Sequence, residues 1–194
     1  MASMKPVIFL LGPSGVGKTF VSTGLTEDFS FRHFVIHEKS FEANCFPAEW
    51  DKDPGQMDFT ILASIARSRL AVEQRGAVLS IPTEMVFSRQ QLEAASRAGV
   101  TPVVLWGPKE RCLELRRVRQ TENHGSFGKG QVKRYWQHNT RTFETYARAE
   151  YADVRVEAFQ PDRSFWPREY ILKLVLARTG YVLAPMPEAI ARQP

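Results

Sequence analysis

The amino-acid sequence predicts a three-layer α-β-α sandwich built on a parallel sheet of about five strands. Three observations predict it. Short apolar runs of buried-strand type alternate with helix-length stretches from Val7 to about Ala177. The first run, Val7 to Leu11, leads into Gly12-Pro13-Ser14-Gly15-Val16-Gly17-Lys18-Thr19, a complete Gly-x-x-x-x-Gly-Lys-Thr string placed between a strand and a helix. The chain has 194 residues, 43% hydrophobic and 24% charged, enough for one full core, with no internal repeat and no linker. Strand, helix, strand units joined by right-handed crossovers give a parallel sheet covered on both faces.

The elements follow in order. After the glycine string, Thr19 to about Asp28 reads as a helix carrying Phe20, Val21 and Leu25. Phe31 to Ile36 is a second strand that ends at His37-Glu38, a polar ending where open parallel sheets hold ligands. Residues 39–55 are irregular, with Pro47, Pro54 and Gly55 among aromatic residues, and a loop this long is either functional or mobile or a packed surface excursion. Met57 to Gln74 reads as a helix with Ile61, Ile65 and Val72 near one face and Gly76 as its stop. Ala77 to Ile81 is a third strand running into Pro82-Thr83-Glu84. Ser88 and Gln91 form a capping box for a helix to Ala98, ended by Gly99. Thr101 to Trp106 is a fourth strand, and Lys109 to about Gln120 a very basic helix. Gly125, Gly128 and Gly130 interrupt the chain before a helix from Val132 to Arg148. Val154 to Phe159 suits a fifth strand, and Pro167 opens a last helix that runs to Gly180. The whole chain, 1–194, reads as a single domain with a core of about 5–178, a lid of about 120–131 and a tail of 181–194. Met1-Ala2-Ser3, ahead of a second methionine, is set aside as resembling a cloning remnant.

Composition narrows the chemistry. The net charge of +5 suits polyanionic ligands, and no basic tail or aromatic-basic pattern argues for nucleic acid. Cys45 and Cys112 have no metal-ligand spacing, and no signal peptide or long apolar span is present, so the expectation is a reduced, cytoplasmic protein off the membrane. Monomer and homodimer stay open.

The string at 12–19 carries the strongest signal. Its glycines let the backbone wrap an anion with N–H groups at the positive end of a helix. Lys18 would reach the outer phosphates of a nucleotide and Thr19 would place its hydroxyl on Mg²⁺. Phosphoryl transfer then needs an acceptor-side carboxylate, cations over the transferring group and exclusion of water. Glu38, after the second strand, is the first carboxylate candidate. Glu84, after the third, is the second, for Mg²⁺ through water or for substrate. Asp51, Asp53 and Asp58 lie in a loop that pattern does not place. The cations are Arg111, Arg116, Arg117 and Arg119, with Arg116 and Arg119 on one helix face, and Lys129, Lys133 and Arg134 beyond the glycine-broken segment. His124 and His138 have no partner at ligand spacing.

From Val7 to about Ala177 the chain resembles the small P-loop kinases, the group holding shikimate kinase, gluconate kinase and adenylate-kinase-like enzymes. Two stretches carry the resemblance: GPSGVGKT at 12–19 and WGPKERCLELRRVRQTENHGSFG at 106–128, the second similar to the strand, helix and Arg-bearing lid of the gluconate kinase side. The resemblance implies the P-loop nucleoside triphosphate hydrolase fold, ATP and Mg²⁺ as cofactors, and transfer of the γ-phosphoryl group to a small hydroxylated substrate. It implies phosphate contacts for Arg116 and Arg119, an acceptor role for Glu38, and an adenine-side role for Gln160 to Phe165 with Arg163. His37-Glu38 and Pro82-Thr83-Glu84 stand where shikimate kinases carry an Asp-containing ending and Gly-Gly-Gly. The Asp-Gly-Phe-Pro-Arg type stretch of nucleotide kinases is missing, so the acceptor stays open. A nucleoside or nucleotide kinase, drawing on Arg32, Arg67 or Arg69, is the alternative. A non-catalytic ATP-binding regulator is the second.

Overall fold

The computed structural model describes residues 6–35, 50, 53–71, 76–122 and 129–180. Five parallel strands form one sheet: β1 (Val7–Leu11), β2 (Phe31–Val35), β3 (Gly76–Ser80), β4 (Val100–Trp106) and β5 (Arg155–Glu157), in the order β2-β3-β1-β4-β5. Around them lie α1 (Lys18–Phe29), α2 (Phe59–Ala71), α3 (Arg89–Arg97), α4 (Lys109–Glu122), α5 (Lys129–Tyr146) and α6 (Arg168–Arg178). The expected α-β-α architecture and strand count are therefore present.

β1 is the centre strand and every one of its residues is buried. Alternation divides its side chains between two apolar layers. Val7, Phe9 and Leu11 join a layer with Phe59, Leu62, Phe87 and Tyr146. Ile8 and Leu10 join one with Leu25, Val103, Leu172 and Val175. Phe9 stands edge-on to Phe59 (5.5 Å) and to Phe87 (5.0 Å), a T-shaped arrangement that adds electrostatic attraction to burial. With both faces covered, the carboxyl end of β1 is the only outlet for its chain, and the glycine string emerges there.

Local signals set several boundaries. At α3 the capping box is formed: Ser88 Oγ accepts from Gln91 N (3.3 Å) and Gln91 Oε1 accepts from Ser88 N (2.8 Å). The structure corrects α2. The helix begins after Asp58, whose Oδ1 accepts the N–H groups of Thr60 (2.8 Å) and Ile61 (3.2 Å). Its buried face is Leu62, Ala63 and Ala66, while Ile61 is 47% exposed. Ile65 packs partly against the same core, so of the two expected face residues described here it is Ile61 that turns to water. Val72 lies outside the described residues. Gly76 does not stop this helix; it opens β3, where a Cβ would sit 2.4 Å from the Phe31 ring. Gly130 is likewise not an interruption: it lies in the first turn of α5, where N–H groups have no intrahelical partner to lose. Of the expected lid, 120–122 belong to α4 and 129–131 to α5, and 123–128 lie outside the described residues.

α5 is bolted across the loop that follows β3. Tyr146 Oη accepts the buried N–H of Phe87 (3.1 Å), Tyr151 Oη donates to Phe87 O (3.3 Å), and Thr142 Oγ1 donates to Thr83 O (2.6 Å). Tyr146→Phe leaves the Phe87 N–H buried without its acceptor, at a cost of about 1–3 kcal/mol. The expected thermal midpoint, followed by circular dichroism, falls by about 2–4 °C per kcal/mol. An unchanged midpoint would show that this bond adds nothing to the packing of α5.

Candidate functional site

The glycine loop is shaped by backbone contact. Gly12 has φ 134° and Gly15 φ 84°, values that side chains disfavour. A Cβ on Gly12 would lie 2.4 Å from Leu105 O at the end of β4, and one on Gly15 would lie 2.1 Å from Cys112 O in α4. The loop is thereby wedged between a strand end and a helix backbone. Cys112 itself is a buried thiol, pushed up to about 12 by burial, and packs as a neutral apolar residue.

The loop ends at the N-terminus of α1, whose cap residue Gly17 offers no side-chain acceptor. The first N–H groups of this helix have no intrahelical partner and lie at the positive end of its dipole. Beneath it, Ser22 Oγ donates to Lys18 O (2.9 Å) and meets Ser80 Oγ at 2.7 Å, and His33 Nε2 meets Ser80 Oγ at 2.8 Å. This polar chain ties the first turn of α1 to β3 and β2.

Lys18 curls over the loop. Its Nζ donates to Gly12 O (2.7 Å) and Pro13 O (3.1 Å), with Thr83 Oγ1 at 3.4 Å. Burial lowers its pKa to about 8, Glu84 partly offsets that, and Arg116 lowers it further. The ammonium is held beside a cavity of about 380 Å³ whose walls are the glycine loop, Thr19, Phe20, Thr83, Leu115, Arg116 and Phe165.

Among the residues expected at the site, the structure brings together the loop from Gly12 to Lys18, Thr19 and Arg116, with Glu84 close enough to act on Lys18. Val16 is buried in the core beneath the loop. Arg119 lies on α4 one turn beyond Arg116, and the described structure stops short of its side chain. In the same basic run Arg111 pairs with Glu114 (2.7 Å), and Arg117 lies over the Trp136 ring (5.8 Å). Glu38 lies outside the described residues. Arg163 sits at the exposed corner of the turn between β5 and α6, with φ 68°; from that turn it is Phe165 that reaches the cavity. Phe165 stacks on Phe159 (4.3 Å between centroids) and approaches Phe20 (6.1 Å). Arg67, offered above for a phosphorylated acceptor, instead donates to Gly99 O (3.0 Å) and Ala98 O (3.4 Å). Arg32 lies over the Phe34 ring (5.5 Å). Among the described residues no group of three or more His, Cys, Asp and Glu is placed to hold a metal ion, and no helix is long and apolar enough to cross a membrane.

Sequence reasoning missed three contributors. Asn139, on α5, accepts the Ser14 N–H on its Oδ1 (2.9 Å). Thr83 was read only as part of a polar strand end, and Phe20 only as an apolar helix residue. For Asn139 a partial signal existed, because it shares a helix face with Thr142, Phe143 and Tyr146 at helical spacing.

The expected three-layer α-β-α fold is shared with solved structures. The structure is similar to a gluconokinase from Sinorhizobium meliloti 1021, with 18% identity over 91% of this chain and 93% of that one and a TM-score of 0.50. A sugar kinase from Janibacter sp. HTCC2649 is similar at 18% identity, with 91% and 95% covered and a TM-score of 0.49. A shikimate kinase from Acinetobacter baumannii, in complex with shikimate, is similar at 18% identity, with 93% and 96% covered and a TM-score of 0.48. At these identities the likeness concerns the fold. No protein-family model matches the chain, and no curated protein matches it.

The lowered pKa of Lys18 gives a test with a definite sign. An anion in the cavity favours the charged ammonium and raises its pKa again. If ADP is the anion that this cavity takes, its binding above pH 8 takes up a proton, and affinity falls by up to about tenfold per pH unit. Below pH 8 the lysine is already charged and its contribution is flat. Calorimetry at pH 9 in buffers of different ionisation enthalpy should report uptake approaching about one proton, lost in Lys18→Met. No uptake in the unmodified protein would mean that Lys18 does not face the bound anion.

Proposed function

We propose that the protein is an ATP-dependent phosphotransferase that moves the γ-phosphoryl group of ATP to a hydroxyl of a small molecule. The observation that carries this reading is Lys18, held by Gly12 O and Pro13 O across an uncapped helix N-terminus, with Arg116 on the wall of the same cavity. A fixed cation, a cradle of N–H groups and a guanidinium are what phosphoryl transfer requires of a protein.

In this reading the loop N–H groups and Lys18 hold the β- and γ-phosphates. Arg116, joined by Arg119, balances charge as it moves toward the β–γ bridging oxygen. Glu38 orients the acceptor hydroxyl and takes its proton. The acceptor oxygen bonds to the γ-phosphorus, the bond to the bridging oxygen breaks, and ADP leaves. A Mg²⁺ ion fits the oxygen donors at hand, the Thr19 hydroxyl at the cavity and the Glu84 carboxylate that acts on Lys18. Such an ion, when bound, neutralises phosphate charge. Phe20 and Phe165 offer aromatic faces to the adenine, and Arg163 stands at the outer corner of the same turn.

The acceptor class we favour is a hydroxylated metabolite such as a sugar acid or cyclic polyol. The similar proteins named above include a gluconokinase and a shikimate kinase. A phosphorylated acceptor fits less well, because Arg67 is committed to backbone carbonyls. The reading extends to a cytoplasmic monomer or homodimer.

ATP consumption with Mg²⁺ should rise with one class in a panel of sugar acids, polyols, nucleosides and antibiotics. ATP binding without acceptor-stimulated turnover across the panel would favour a regulatory ATP-binding protein. Lys18→Ala should lower turnover by roughly 10²–10³-fold with the thermal midpoint little changed; near-normal turnover would sink the mechanism. Glu38→Gln should lower turnover by about 10²-fold and leave ATP affinity within about twofold. Loss of ATP binding in that variant would move Glu38 to the metal site.

A further inference from the structure

We propose that Asn139 is a positioning residue that sets which way the Pro13-Ser14 peptide faces, and so where Lys18 rests in the phosphate cavity. The proposal rests on the nucleotide-binding reading above. Asn139 is fully buried on α5, and its Oδ1 accepts the Ser14 N–H across 125 residues of chain. The opposite end of the same peptide unit, Pro13 O, accepts from Lys18 Nζ. A trans peptide is planar, with its N–H and C=O pointing opposite ways. Holding the N–H on the α5 side therefore turns the carbonyl toward the lysine. Without the acceptor, this peptide is free to rotate, which takes Pro13 O from Lys18 and leaves the ammonium without its fixed resting place.

Two further observations separate this from ordinary packing. The Nδ2 of Asn139 is buried with no hydrogen-bond partner among the described residues. A buried amide donor left unmade is costly, and an apolar side chain of similar size would avoid that cost. Only the oxygen end of this amide is used, and it is used on the loop. One helical turn along, Thr142 donates to Thr83 O, and Thr83 Oγ1 lies beside Lys18 Nζ. One face of α5 thus reaches both walls of the cavity, the glycine loop through Asn139 and the segment after β3 through Thr142.

The test compares Asn139→Ala with Tyr146→Phe, a change on the same helix away from the cavity. Ser14 amide exchange, followed by NMR in protein without nucleotide, should be slow in the unmodified protein, fast in Asn139→Ala and slow in Tyr146→Phe. The Kd for ADP should rise by about fivefold to tenfold in Asn139→Ala, corresponding to one hydrogen bond, and stay within about twofold in Tyr146→Phe. Asn139→Asp keeps the acceptor and should keep Ser14 protected. Fast Ser14 exchange with an unchanged Kd overturns the positioning role, and so does an equal rise in Kd in Tyr146→Phe. If Asn139→Ala does not fold, Asn139→Ser, whose acceptor is too short to reach, carries the same comparison. Failure of the unmodified protein to bind ADP would overturn the nucleotide reading itself, a result distinct from a variant that binds as well as its parent.

Discussion

The site depends on two places where the chain can have no side chain. Gly12 lies against the carbonyl of Leu105 and Gly15 against that of Cys112, each nearer than any Cβ tolerates. These contacts fix the loop against the end of β4 and the backbone of α4. Everything else in the cavity is referenced to them: the open N-terminus of α1, the resting place of Lys18 and the wall that carries Arg116. The constraint is steric, and in the reading proposed above it would let the loop meet charge without having to reorganise.

Hydrogen bonds from distant elements finish the loop. The chain Ser22, Ser80, His33 supports the first turn of α1 from the sheet side, and Asn139 holds Ser14 from the helix side. The support of the loop is shared work between β2, β3, α1 and α5. That arrangement explains why buried polar groups are tolerated so near the centre of an otherwise apolar sandwich.

What could be read from the sequence was what local chemistry encodes. The glycine string, the Ser88-Gln91 box and the strand at Val7 to Leu11 each declare themselves within a few residues. The face of α2 did so only in part, because Leu62, Ala63 and Ala66 are buried and Ile65 packs partly, while Ile61 faces water. Arg163 belongs by order in the chain to the expected adenine-side stretch from Gln160 to Phe165, and from that stretch Phe165 lines the cavity, next to the bridge between Phe159 and Phe165. Asn139 illustrates the general limit: its partner is 125 residues away, and no periodicity names a partner at that range. Glu38 keeps its sequence-based standing, since it lies outside the described residues.

The distance between Ser14 and Asn139 also has a meaning in time. During synthesis the glycine loop is made early, but the carbonyl of Leu105, the backbone of Cys112 and the amide of Asn139 come much later. A growing chain that stops short of α5 holds the signature string without the surroundings that shape it. The shape of the loop is thus completed only with the last third of the polypeptide, and an unfinished chain carries the motif in name only.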